Sequence, residues 1–230
     1  MRQLQVDIIA GVLPPDAKLK LRELTERYGI GASPMREALA RLSALGLVRF
    51  RGQQGFRVAP VSRADLLDIT RSRQIVEPEV LKLAIAAGGE DWEAEIVKAF
   101  HLFKRGLEQG LPTGREALDT FEARHHDLHR ALVAACPLET LRDFCDDLYL
   151  RKERYRRLLF RYDFTAEEVI AEHAALVHVV LSRDAAAAAS VLARHIGLTA
   201  DILLNVLPEP HAGRSLAGRG LRRAIANGRR

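Results

Sequence analysis

The stretch Leu21–Leu42, LRELTERYGIGASPMREALARL, constrains the fold of this 230-residue chain more than any other. Leu21, Leu24 and Tyr28 recur at helical spacing, which gives a first short helix one apolar face. Gly29-Ile30-Gly31 interrupts it, because glycine takes up the backbone angles of a sharp turn without a Cβ clash. Ser33 is placed to cap the next helix, with Pro34 at its first position, where a missing N–H costs nothing. Ala38, Leu39 and Leu42 are expected to face inward, and Ser33, Met35, Arg36 and Arg41 outward. Two helices joined in this way read as a helix-turn-helix whose second helix enters a DNA major groove. An ordinary helical hairpin with a charged, solvated face is the alternative.

The residues that follow favour the DNA reading. Leu45-Gly46-Leu47-Val48-Arg49-Phe50 and Arg51-Gly52-Gln53-Gln54-Gly55-Phe56-Arg57-Val58 form two β-prone segments around a Gly-Gln-Gln-Gly turn. A hairpin there makes the motif a winged helix-turn-helix, with Arg51 and Arg57 of the wing available to phosphates. The run Ser33-Pro34-Met35-Arg36-Glu37-Ala38-Leu39, then Gly46-Leu47-Val48 and a glycine wing, resembles the GntR family of bacterial transcription regulators. Ile8-Ile9-Ala10-Gly11-Val12-Leu13-Pro14-Pro15 is similar to the end of that family's first helix, with Asp16 where glycine is usual. The resemblance implies that Arg22, Ser33 and Arg36 contact double-stranded operator DNA and that Gly55 lets the wing approach its backbone. Ala32 departs from the family's usual arginine, so a bidentate guanine contact of about 1–3 kcal/mol is missing. The operator is therefore expected to differ from the common one, or binding to lean on Arg36 and the wing.

Charge separates the chain into three parts. Residues 1–60 hold ten Lys/Arg against five Asp/Glu, and residues 208–230 hold six Arg against one Glu. With a net charge of +5 overall, residues 61–207 carry −5. A basic head and tail around an acidic body fit a DNA-binding domain (1–60) attached to a domain of another role (61–207). The Gly/Arg-rich tail, 208–230, has few large apolar residues and reads as disordered, either a solvated appendage or a source of nonspecific phosphate affinity. No apolar run approaching a membrane span and no signal-peptide pattern is evident, and Cys136 and Cys145 are the only cysteines. The expectation is a cytoplasmic protein.

After the Ala59-Pro60-Val61 linker, helical periodicity predicts segments at 63–87, 91–109, 114–135, 138–161, 166–182 and 184–206. Ser62-x-x-Asp65, Thr165-x-x-Glu168 and Asp184 supply N-terminal caps, while Gly88-Gly89 and Cys136-Pro137 supply stops. No strand is expected beyond the wing. The fold class is mainly α: an N-terminal winged helix-turn-helix followed by an antiparallel six-helix bundle.

The chemistry of the bundle lies in its histidines. His125 and His129, at i and i+4, share one helix face. His173 and His195 lie ten residues before and twelve after residue 183, so at 1.5 Å per residue they stand about 15 and 18 Å from the turn. In an antiparallel hairpin they are level. These four imidazoles can close around a divalent metal, zinc first, with nickel or manganese as alternatives. Taken singly, each is more often an ordinary core or surface histidine than a ligand; it is the four at consistent heights that favour a metal. His101 and His211 read as surface residues, His178 as packing and His126 as solvent-facing.

The segments His125-x-x-x-His129-x-x-Leu132, Glu172-His173 and Arg194-His195 resemble the FCD effector domain of FadR-type GntR regulators, in its six-helix, VanR-like form. The resemblance implies a metal held by His129, His173 and His195, with His125 where an aspartate is expected. That exchange removes a negative charge and favours zinc or nickel over harder ions. It also implies a small carboxylate effector bound by the metal and by Arg73, since guanidinium grips carboxylate bidentately. The competing role for Arg73 is an intrahelical pair with Glu77. Arg151, Arg154, Arg156, Arg157 and Arg161 crowd one helix and read mostly as solvated or contact residues.

The function expected is a ligand-responsive repressor acting as a homodimer. A metal-dependent hydrolase with a basic appendage is the alternative from another class.

Overall fold

The computed structural model describes residues 1–108, 110–159 and 165–207. The predicted tail, His211 and Arg161 lie outside them. The order is α1 (Arg2–Ile9), β1 (Lys18–Leu19), α2 (Leu21–Tyr28), α3 (Ala32–Ala44), β2 (Val48–Phe50) and β3 (Phe56–Val58). Six longer helices follow: α4 (Arg63–Ala87), α5 (Glu90–Arg105), α6 (Arg115–Val133), α7 (Glu139–Leu159), α8 (Ala166–Leu181) and α9 (Ala185–Val206). These residues group into two compact units. One contains Met1–Leu67 with the stretch beginning at Leu150 and that beginning at Ile202; the other contains Asp68–Tyr149 and the helices up to Asp201.

In the first unit, Leu4, Ile8, Leu24, Leu39, Leu42, Leu47 and Val58 close a core between α1, α2, α3 and the wing. Gly29 ends α2 in the left-handed region, as the turn requires. Two expectations for α3 are corrected. Its N-cap is Gly31, not Ser33, so Pro34 stands third in the helix; a proline fits because the N–H there has no intrahelical partner anyway. Met35 is buried in the core rather than turned outward. Its side chain lies on the same stripe as Leu39 and Leu42, and burying it yields roughly 1.5–3 kcal/mol.

The wing is a three-stranded sheet of order β1-β3-β2, with Lys18 opposite Arg57 and Arg49 opposite Arg57 on the other side. Arg57 is partly committed within the sheet. Its Nη1 donates to the Asp16 carbonyl at 2.8 Å. Asp16 itself has φ 62°, a conformation that aspartate tolerates better than most residues, at the position where glycine is usual in the family.

At the arginine-rich end of α7 the solvated reading is corrected and contacts take its place. Arg154 and Arg156 are buried, and Arg154 donates to the Ala59 carbonyl of the linker. Burial pulls the Arg154 guanidinium down to about 10. Tyr155 donates to Asp65 at 2.6 Å and accepts from the Ser62 N–H, and Arg151 pairs with Asp65 at 3.0 Å. These bonds tie the linker and the first turn of α4 to the part of α7 that begins at Leu150, and all of these residues lie in the winged unit.

In the second unit α5 packs on α6 and α8 around Ile96, Phe103, Leu128, Leu176 and Val180. The Thr165–Glu168 capping box starts α8, and Asp184 caps α9 through the Ala187 N–H. By length and apolarity alone α9 could cross a membrane, contrary to expectation. Here it buries Ala188, Leu192, Ile196 and Ala200 along one stripe, as core helices do.

Candidate metal and effector site

His125 and His129 project from adjacent turns of α6, His173 from α8 and His195 from α9, and all four are buried. One ligating atom from each lies within 4.8 Å of the others. The Nε2 atoms of His125 and His173 are 2.9 Å apart, and those of His129 and His125 are 3.2 Å apart. A tetrahedral ion at 2.0–2.1 Å from each nitrogen would set them about 3.3–3.4 Å apart. Small ring movements reach that spacing.

The opposite ring nitrogens are engaged. His173 Nδ1 meets the Val169 carbonyl at 2.7 Å and His195 Nδ1 meets the Glu172 carboxylate at 2.9 Å. A carbonyl or carboxylate only accepts, so in the neutral ring each Nδ1 carries the proton and each Nε2 presents a lone pair. Lone pairs converging on one point are what a cation needs, and partners of this kind orient metal-binding imidazoles. The donor set fits a divalent metal. His125 Nδ1 meets the Tyr149 hydroxyl at 2.7 Å. Phe103 packs against His125 and His173, and Phe121 stacks on His125, walling one side with aromatic rings.

Arg73, on α4, is buried and pairs bidentately with Glu77 through Nε at 2.5 Å and Nη2 at 3.0 Å. The intrahelical pair is therefore formed. It does not use the whole guanidinium: Nη1 is buried and has no hydrogen-bond partner among the described residues. The Arg73 Cζ lies 5.6 Å from the centre of the Tyr149 ring, whose other neighbours include His125 and His129.

Other histidines differ from expectation. His126 is half-buried and stacks on Tyr149 with centroids 4.2 Å apart, because α7 covers its face of α6. His178 is exposed, on the outer side of α8, and His101 is exposed as expected. Tyr149, Phe103 and Phe121 were missed as parts of the site. Nothing in the local spacing of Tyr149 points across to α6.

In the winged unit, Arg22, Ser33, Arg36 and Arg51 are exposed on α2, α3 and the wing. Arg22 makes a surface pair with Glu26, at 3.2 Å. Gly55, at φ 75°, closes the wing turn after a single 3-10 turn over Gly52–Gln54. Phe50, exposed at the wing edge, packs on Phe56 with ring centres 5.0 Å apart.

A winged helix-turn-helix joined to an all-helical domain defines a class of DNA-binding transcription regulator. Residues 1–58 match the family described as bacterial regulatory proteins, gntR family, and residues 68–198 match the FCD domain. The chain belongs to the GntR family and carries an FCD domain. It is 37% identical over 199 residues to the HTH-type transcriptional repressor GlaR of Escherichia coli strain K12, covering 85% of this chain and 90% of GlaR. It is 34% identical over 195 residues to the HTH-type transcriptional regulator BphR of Paraburkholderia xenovorans strain LB400, covering 85% of this chain and 80% of BphR. Among solved structures, Escherichia coli McbR/YncC superposes with a TM-score of 0.72 at 21% identity, covering 89% of this chain and 94% of McbR. That likeness shows the fold. The family and these relatives identify a transcription regulator, not the hydrolase alternative.

Proposed function

We propose that this regulator is a repressor whose helical domain holds a divalent metal through His125, His129, His173 and His195 and binds a small carboxylate effector. The observation that carries the reading is the convergence of four buried imidazoles, two of them with Nδ1 committed to acceptors. An all-nitrogen set suits zinc or nickel better than manganese. The metal would supply a fixed positive charge for the effector's carboxylate, and Nη1 of Arg73 a directed donor. The repressor assignment rests on GlaR, a repressor in name, and the cytoplasm is the natural compartment for such a regulator.

The protein would act as a homodimer on a two-fold operator, since one winged module covers too little DNA for selectivity. Arg22, Ser33, Arg36, Arg51 and Gly55 are the residues assigned to DNA. The effector would change operator affinity only insofar as it binds two arrangements of the dimer unequally. Elemental analysis of purified protein, with a thermal-shift screen of small carboxylates, tests the sensor. The double variant Arg73→Met, Glu77→Leu leaves no unpaired charge and should abolish the carboxylate response while metal content persists. A retained response removes Arg73 from the site. Analytical ultracentrifugation with and without operator DNA tests the dimer.

A further inference from the structure

We propose that Tyr149 is a positioning residue that keeps Nε2 of His125, rather than its Cε1 carbon, facing the cluster. The inference rests on reading the four imidazoles as a metal site. His125 is held by two contacts of different kinds. Phe121 stacks on its ring at an interplanar angle of 7°. Stacking fixes the plane of an imidazole but not its direction, since a half-turn about the Cβ–Cγ bond leaves the plane unchanged and puts Cε1 where Nε2 stood and Cδ2 where Nδ1 stood. The Tyr149 hydroxyl removes that ambiguity, because it holds Nδ1 at 2.7 Å and leaves Nε2 facing His173 and His129.

The hydroxyl is itself well placed. The Tyr149 ring is buried, stacked on His126 at an interplanar angle of 6°, and flanked by the Arg73 guanidinium. It also differs in kind from the other two Nδ1 partners. A hydroxyl both donates and accepts, so His125 can present either an N–H or a lone pair to the cluster without losing its bond. His125 thereby serves as a hydrogen-bond partner of His173 in the metal-free protein and as a ligand in the loaded one.

The test is Tyr149→Phe, which keeps the ring and its stacking. Zinc affinity is measured by competition with a chromophoric chelator, and cobalt(II) is added separately to read the ligand field from its visible bands. The expected result is a zinc affinity weakened about 10–100-fold and altered cobalt bands. In a His125→Ala background the same substitution should cause no further loss. Wild-type zinc binding and cobalt bands in Tyr149→Phe would overturn the assignment, as would an equal loss in the His125→Ala background. So would a loss of metal-free stability large enough to explain the weaker binding. If the unvaried protein binds neither metal, the metal reading falls and this assignment with it.

Discussion

The guanidinium of Arg73 grips the carboxylate of Glu77 from one turn away, with both groups buried and Arg73 Nη1 left over among the described residues. Each charge offsets the desolvation of the other, so neither can be removed alone without leaving an isolated buried ion. Arg73→Leu and Glu77→Leu should each lower stability by about 3–5 kcal/mol in urea unfolding. The double variant to apolar residues should recover most of that. Single variants as stable as the wild type would show that water reaches the pair.

The imidazole cluster predicts a stability that depends on metal. Zinc at about 100 times its dissociation constant should stabilise the protein by about 2.7 kcal/mol, and a chelator should reverse the gain. His173→Ala should remove the zinc-induced shift in melting temperature. A shift of unchanged size in that variant would place the metal elsewhere.

Arg36 is exposed on α3, outside the buried stripe of Met35, Leu39 and Leu42. Arg36→Ala should cost about 1–3 kcal/mol of operator binding and relax preference at one base position. Arg51→Ala, on the wing, should weaken all sequences alike and lower the salt dependence. Fluorescence anisotropy across an operator mutant series separates the two outcomes.

Tyr28 donates to the buried Asp7 carboxylate at 2.7 Å. Burial first, and Asp7 second, push its phenol up to about 12 from the usual 10. A group whose pKa is raised by folding contributes stability that is whole below the unfolded value and is lost as pH climbs through the folded one. The stability advantage of the wild type over Tyr28→Phe should therefore shrink between pH 10 and 12. Denaturant unfolding at stepped pH measures it. A constant difference across that range would mean that Tyr28 ionises as freely in the folded protein as in the unfolded chain.

Local signals carried the elements well. The six later helices start and stop close to the predicted positions because caps such as Thr165 and Asp184 act within a few residues of themselves. Two-residue β1 left no trace in the pattern, since so short a strand shows no alternation and forms only because β3 offers it an edge. The cap of α3 was misplaced because Gly31, Ser33 and Pro34 all suit a helix start, and only the path of the chain chooses among them.

Spacing along the chain by itself determined that His125 and His129 share a face and that His173 and His195 stand level, because both follow from helical rise and pitch. What it could not contain was the rotation of each helix about its own axis. That rotation is set by packing around Phe103, Leu128 and Leu176, and it decided that the four rings meet, that Tyr149 reaches His125, and that Arg73 Nη1 stays unpartnered among the described residues.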